Sequence, residues 1–344
     1  MSIKQEATGL IHSALDGKMD FLELRGIDEF AREGGDIDVL VPRNRAREAL
    51  GLVAELAASR GWSVAGWRDI GYITQACLAT RETAGAPRQA VKIDLWNGVG
   101  WLGMGADPYA VALFHHLETR GPAETIGLVT LLQKLLYPGY LRDRDRQRVL
   151  AACSANEIAA FVAANSIPLT SADLERDRLG RLARWRLRAA SAGAANAGLP
   201  LWLARIAWRR LAFALVPSSL PGMRIVVCGA DEPRRAALAK RFRALCRSSG
   251  FHEPVSYLQA DGAAEAGARR PLAAARQVLS AARGEVVLVP IAVPTPQAGG
   301  PDRHAKTLHV SLPGSPTEGS DDLDVLLAAV TKQSLGTLRG KGAA

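Results

Sequence analysis

The segment EGGDIDVLVPR (residues 33–43) carries two aspartates, one residue apart, at the start of an apolar run. Successive side chains of a β-strand point to opposite faces, so Asp36 and Asp38 share one face while Ile37 and Val39 share the other. The segment therefore predicts a strand with one face in a core and the other face carrying two carboxylates.

The flanking sequence predicts an α/β fold with three parts. The first part, residues 1–115, alternates strands with an amphipathic helix that ends at Gly61. The second, 116–216, is helical and rich in arginine, and the third, 222–337, is again α/β. The predicted elements are strands at 20–26, 36–42, 62–67, 72–80 and 90–96, a helix at 45–61, a linker at 216–222, a strand at 223–230, a helix at about 233–247, and strands at 284–293 and 306–314.

A third aspartate follows the same pattern in AVKIDLW, residues 90–96. Lys92, Asp94 and Trp96 share the face opposite to the apolar residues of this segment. If this strand lies beside the first, the three carboxylates form a site for Mg²⁺, which prefers oxygen ligands and assists nucleotidyl transfer. Asp94 is also a candidate general base toward an acceptor hydroxyl. The alternative is an edge strand whose aspartates simply face water.

The motifs LRG (24–26), DIDVLV and IDL together resemble the nucleotidyltransferase fold of the polymerase-β superfamily. The resemblance implies that Asp36 and Asp38 bind the metal and that Asp94 is the third carboxylate. It also implies that Gly26 lies near the triphosphate, although Ile27 follows it where the superfamily usually has serine or glycine. We expect Arg25 to clamp the phosphates.

A lysine in the helical extension is a further nucleotide-binding candidate. Similar two-domain proteins often carry a lysine there, and Lys134 in LLQKLLYPGY is expected to reach a nucleotide phosphate. The alternative is a surface lysine whose aliphatic stem covers apolar neighbours.

The segment MRIVVCGADEPRRAALAKRF (223–242) resembles the phosphate loop of thymidylate-kinase-like P-loop proteins. Aligned from Gly229, the second glycine is replaced by Arg234, the lysine by Arg235 and the magnesium-binding hydroxyl by Ala236. These changes remove backbone flexibility and a metal ligand. The resemblance therefore implies a degenerate P-loop-kinase-like domain without kinase activity.

The net charge of +9 is concentrated in one segment. Residues 178–230 contain nine arginines and neither lysine nor acid, so the rest of the chain sums to zero. Arg178, Arg181, Arg184 and Arg188 recur at helical spacing and predict a cationic stripe. A connector between domains, a membrane-surface helix and a nucleic-acid contact are the alternatives, and we favour the connector over peripheral membrane contact and over nucleic acid.

The remaining features predict a cytoplasmic protein. The four cysteines lie far apart, and the N-terminus lacks the pattern of a signal peptide. The predicted activity is Mg²⁺-dependent transfer of a nucleoside monophosphate from a nucleoside triphosphate to a hydroxyl or phosphate acceptor, a small molecule or a sugar. The alternative is a non-catalytic protein that binds a nucleotide or a partner through two degenerate sites.

Overall fold

The computed structural model describes residues 2–24, 36–42, 45–69, 73–82, 87–99, 108–176, 178–191, 223–228, 232–251, 256–257, 287–290, 306–312 and 321–339. They form a mixed α/β structure with two sheets. In chain order the elements are α1 (Ile3–Leu15), β1 (Leu22–Glu23), β2 (Ile37–Val41), α2 (Ala46–Ser59), β3 (Ser63–Asp69), β4 (Ile73–Ala79), β5 (Ala90–Asn97), α3 (Pro108–Arg120), α4 (Pro122–Leu136), α5 (Asp143–Ala152), α6 (Ala155–Ala164), α7 (Ser171–Glu175), α8 (Arg181–Ser191), β6 (Met223–Cys228), α9 (Glu232–Ser248), β7 (Ser256–Tyr257), β8 (Val287–Pro290), β9 (Lys306–Ser311) and α10 (Asp322–Arg339).

The first sheet has five strands in the order β1-β2-β5-β4-β3. Only β2 and β5 run parallel, and the other neighbours are antiparallel. All five predicted strands of the N-terminal part are confirmed, each within a few residues of its expected bounds. Because β2 and β5 are neighbours, residues from the two predicted carboxylate segments lie side by side.

One face of this sheet packs against α1 and α2. Its core contains the alternate residues of β2 and β5 that the sequence assigned to the interior, such as Val39 and Ile93. Helix α2 ends as predicted, with Gly61 at a φ of +79°. Helix α1 was not predicted, although Ser2 and Gln5 form a capping box at its start.

The opposite face of the sheet is covered by two separate groups of helices. At one end, Leu40 and Trp96 pack into the core of the α3–α8 region. At the other end, Ala65, Cys77 and Ala79 pack against α9 and α10. Asp38 and Asp94 lie between these two packed regions, on the same face.

The second sheet is parallel throughout, in the order β7-β8-β6-β9. The predicted strand–helix unit is confirmed as β6 followed by α9. The final helix, α10, returns to the first sheet, where the backbone N–H of Val64 donates to the Thr331 hydroxyl at 2.9 Å. Arg88 and Asp324 form an ion pair across the same contact. None of the described helices is long and apolar enough to cross a lipid bilayer.

Candidate metal centre

Two of the candidate carboxylates lie on neighbouring parallel strands. Asp38 of β2 is directly opposite Asp94 of β5, and Ile37 is opposite Ile93. In-register neighbours point to the same face of a sheet, so both carboxylates project away from the α1–α2 core. Asp36 immediately precedes β2 and, by alternation, belongs to the same face.

The burial of these side chains rules out the edge-strand alternative. Strand β2 is internal, with β1 on one side and β5 on the other. Asp38 is only 7% exposed and Asp94 only 3%, whereas Asp36 is partly exposed. Burying carboxylates is costly unless a cation or hydrogen-bond donors compensate their charge. The sequence alternative in which the aspartates face water is therefore wrong.

The three carboxylates are close enough to share an ion. Each offers an oxygen, and these oxygens lie within 4.8 Å of one another. Two oxygens on opposite sides of one Mg²⁺ are about 4.2 Å apart, since each Mg–O distance is about 2.1 Å. Side-chain shifts of less than about 1 Å would therefore bring all three onto one ion. The donor set, three carboxylates, also fits a hard divalent cation.

Lys92 supplies a cation from within the protein. Its ammonium donates to Asp36 Oδ2 at 3.0 Å and to Asp94 Oδ2 at 2.8 Å. It lies two residues before Asp94 on the same face of β5, so the strand geometry alone brings it to the cluster. Sequence reasoning assigned Lys92 to this face but gave it no role. Its spacing from Asp94 was the signal that could have suggested one.

Two neutral donors fix the other oxygens of the buried aspartates. The indole N–H of Trp96 donates to Asp38 Oδ1 at 2.9 Å. The side-chain amide of Gln75, on β4, donates to Asp94 Oδ1 at 3.0 Å. Hydrogen bonds to carboxylates restrict their orientation, so these donors limit the rotation of the Asp38 and Asp94 carboxylates.

The electrostatics of the cluster are dominated by burial. Desolvation raises the pKa of Asp94 to about 7, even though the adjacent Lys92 ammonium lowers it; Asp36 and Asp38 raise it further. Burial lowers the pKa of Lys92, but its carboxylate partners raise it by more, so it lies above its ordinary value. Lys92 is thus charged at neutral pH, while Asp94 exchanges its proton near pH 7 in the absence of a metal.

The remaining candidate nucleotide-binding residues are less informative. Arg25 and Gly26 lie outside the described residues. The Lys134 side chain is 41% exposed, and its ammonium lies 4.0 Å from the buried carboxylate of Asp145. It is therefore accessible to a ligand and also close to an acid that holds it near the end of α4. Its binding to a phosphate remains a prediction.

The segment that the sequence predicts to be a degenerate phosphate loop lies only partly within the described residues. Gly229 lies outside the described residues, and Arg235 is part of α9. Helix α9 begins at Glu232. Arg234, at the position of the second glycine, forms two hydrogen bonds of 2.6 Å with the carboxylate of Asp322. This guanidinium is therefore engaged in an ion pair with the first turn of α10.

The predicted arginine stripe is only half correct. Arg178 and Arg181 are exposed, as expected. Arg188 is instead buried and donates to the carbonyls at positions 136 and 137, at 2.7 and 2.8 Å, while Arg184 donates to the carbonyl at 138 at 3.1 Å. The last carbonyls of a helix lack intrahelical partners and carry partial negative charge. Arg188 therefore caps the C-terminus of α4, and Arg184 binds the turn that follows it. The apolar positions predicted for 201–216 lie outside the described residues.

Comparison with known proteins adds no relative to this picture. Family models, curated proteins and solved structures gave no match to the chain. The function is therefore argued from the residues of the site.

Proposed function

We propose that this chain is a Mg²⁺-dependent nucleotidyltransferase that moves a nucleoside monophosphate from a nucleoside triphosphate to a hydroxyl or phosphate acceptor. The observation that supports it is the cluster of Asp36, Asp38 and Asp94, whose oxygens lie within 4.8 Å of one another across two parallel strands. With all three carboxylates ionised, they and the Lys92 ammonium sum to a charge of −2. One divalent cation would cancel that charge.

Each side chain has a role in this proposal. Asp36, Asp38 and Asp94 would hold the ion, which supplies charge neutralisation at the phosphate oxygens. Trp96 and Gln75 keep the two buried carboxylates oriented. Asp94 is also the candidate general base toward an acceptor hydroxyl. The triphosphate is expected to contact Arg25, Gly26 and Lys134.

The proposed architecture follows from the resemblance of the sequence to polymerase-β-type nucleotidyltransferases and to P-loop kinases. Residues 1–115 form a nucleotidyltransferase-like mixed sheet, 116–216 a basic helical connector and 222–337 a degenerate P-loop-kinase-like domain. The parallel second sheet and its β6–α9 unit support the last assignment. The acceptor is a small molecule or a sugar by analogy with the family alone.

One observation favours a second candidate, a non-catalytic protein that binds a nucleotide or a partner. Lys92 already bridges Asp36 and Asp94, so part of the carboxylate charge is compensated without a metal. In a protein of this kind the ammonium would be a permanent structural replacement for the cation. The two candidates differ in whether a divalent ion binds at all.

Calorimetric titration of the full chain with Mn²⁺ and a non-hydrolysable nucleoside triphosphate analogue separates the two candidates. The proposal predicts that the analogue binds only with Mn²⁺, and that Asp38→Asn weakens this binding by at least about 100-fold because a ligand is lost. Asp16→Asn, at an exposed carboxylate, is the matched control and should bind like the wild type. Binding of the analogue that is equally strong without metal and in Asp38→Asn supports the non-catalytic candidate. No binding of Mn²⁺ contradicts the enzyme proposal.

A further inference from the structure

The exposed face of α8 has an unusual order of residues. Leu182 is 65% exposed and Trp185 is 43% exposed, and Arg181 and Arg186 are exposed as well. At about 100° per residue, the four side chains project in the order Arg181, Trp185, Leu182, Arg186 around an arc of about 140°. The apolar pair therefore occupies the middle of the exposed face, and one arginine stands at each edge.

This order is the reverse of that on an ordinary surface helix. A helix packed on a soluble core normally turns its apolar stripe inward and charged residues outward. The inward side of α8 is already used, since Leu187 is buried in the α3–α8 core and Arg188 caps α4. The exposed tryptophan and leucine therefore form a second apolar strip, separate from the core.

The packing of α8 fixes the direction of this strip. The guanidinium of Arg188 bonds two carbonyls at the end of α4, and that of Arg184 bonds a third. Buried charge-assisted bonds of this kind are costly to break. The helix cannot easily roll to bury Trp185 without losing them, so the strip faces outward as part of the fold.

The charge around the strip indicates the kind of partner. Arg178 is also exposed beside α8, and no acidic residue occurs between positions 178 and 230. Asp173 of α7 lies within electrostatic range of Arg186, so the positive charge is strongest at the Arg181 edge. The cationic edges fit an anionic surface, and the apolar centre fits a surface with an accessible hydrocarbon layer. A nucleic acid offers the first property without the second. Arginine flanking tryptophan and leucine is the pattern of helices that lie in a bilayer interface.

We propose that the exposed face of α8 binds the surface of an anionic phospholipid bilayer. Arg181 and Arg186 contact lipid phosphates, and Trp185 and Leu182 enter the boundary between headgroups and acyl chains. The sequence LWLARIAWRRLAFALV (201–216) has the same combination of arginine, tryptophan and leucine. This interaction is independent of the nucleotidyltransferase proposal.

Vesicle flotation with the full chain tests this proposal. The wild type should float with vesicles of phosphatidylcholine containing about 30% phosphatidylglycerol, and not with phosphatidylcholine alone. Arg181→Gln/Arg186→Gln should lower the partition coefficient by about 30-fold, and raised salt should weaken wild-type binding. Leu182→Ser/Trp185→Ser should lower it by about tenfold or more, since the inserted apolar area is lost.

Matched variants elsewhere on the surface control for general charge and hydrophobicity. Arg60→Gln/Arg120→Gln removes two exposed arginines outside the 178–230 segment, and Val111→Ser removes a side chain that is 70% exposed. Both should float like the wild type. All variants alter exposed positions, so their thermal unfolding should match that of the wild type. If Leu182→Ser/Trp185→Ser unfolds at a lower temperature, the single substitution Trp185→Ser replaces it.

Three outcomes would overturn the proposal. The first is no wild-type flotation, or equal flotation with neutral vesicles. The second is flotation of both α8 double variants at the wild-type level, which removes α8 from the contact. The third is that the wild type does not bind vesicles but forms a dimer, or a complex with duplex DNA, that the α8 variants abolish. The strip would then bind a second copy of the chain or a nucleic acid.

Discussion

Replacement of Lys92 by methionine removes the internal cation and leaves a side chain of similar length. We expect the metal-free Lys92→Met protein to be less stable than the wild type and to gain more stability from Mn²⁺. Both effects follow from the bonds of 3.0 and 2.8 Å that the ammonium donates to Asp36 and Asp94. Without it, the cluster gains one unit of negative charge, which a divalent ion can compensate.

The loss of stability depends on pH. Breaking a buried ion pair costs about 3–5 kcal/mol, and the lower end applies because Asp36 is partly exposed. The Lys92 ammonium lowers the pKa of Asp94, so without it Asp94 stays protonated to higher pH. At low pH the Asp94 carboxyl is then neutral, and the variant does not bury its negative charge. We therefore expect a loss of about 3 kcal/mol at pH 8.5 and roughly half of that at pH 6.

Urea unfolding with EDTA at both pH values, followed by thermal unfolding with increasing Mn²⁺, measures both effects. Tighter binding by about tenfold adds about 1.4 kcal/mol to the stabilisation that saturating Mn²⁺ gives the variant, compared with the wild type. Lys240→Met, at an exposed lysine of α9, should behave like the wild type. If Mn²⁺ stabilises both proteins equally, Lys92 does not compete with the ion; if it stabilises neither, the carboxylates do not form a cation site.

Three further predictions test the electrostatics and the packing. The metal-free wild type should lose up to about 4 kcal/mol of folding stability as the pH rises from about 4 to about 7. The reason is that the raised pKa of Asp94 lets the folded state keep a proton that the unfolded state releases. Denaturant unfolding of Asp94→Asn with the same slope of stability against pH would contradict this assignment. Arg188→Met should cost about 2–4 kcal/mol of stability, because it leaves carbonyls at the end of α4 without their donor. Arg186→Met, at an exposed position, should cost about 0.5 kcal/mol or less. Equal urea midpoints for the two variants would show that the cap contributes nothing. Gly127→Ala should cost about 1–2 kcal/mol of stability, since its Cβ would lie 2.9 Å from the Cβ of Ala152 and 3.0 Å from the sulfur of Cys153. Gly9→Ala has open space around it and should gain about 0.5–1 kcal/mol. A stabilised Gly127→Ala would mean that its contact relaxes freely.

The strand that carries the site could be predicted because its signal is local. Alternation of side chains assigns Asp36, Asp38 and Asp94 to polar faces from the sequence alone. The pairing of β2 with β5 could not be predicted in the same way, because strand order depends on crossovers and on the packing of several elements. The register that puts Asp38 opposite Asp94 is therefore a result of the tertiary structure.

The arginine segment illustrates the opposite case. Helical spacing correctly predicts that Arg181, Arg184 and Arg188 lie on one helix, but Arg178, which it assigns to the same helix, precedes α8 and forms an isolated bridge with Tyr140. The spacing also treats these arginines as equivalent. Arg188 points inward and bonds the carbonyls at the end of α4, whereas Arg181 is exposed. A sequence pattern contains no information about which helix end will be its neighbour. Helix α1 differs again, since the capping box of Ser2 and Gln5 at its start is a local sequence signal for a helix N-terminus.

The most direct test of the metal centre is anomalous diffraction from crystals of the full chain grown with Mn²⁺. We predict one anomalous peak on the polar face of β2 and β5, at about 2.1–2.2 Å from an oxygen of each of Asp36, Asp38 and Asp94. Crystals of Asp38→Asn under the same conditions should lack it. The absence of a peak in the wild type, with the Lys92 ammonium still bridging Asp36 and Asp94, would contradict the metal centre and the activity proposed for it.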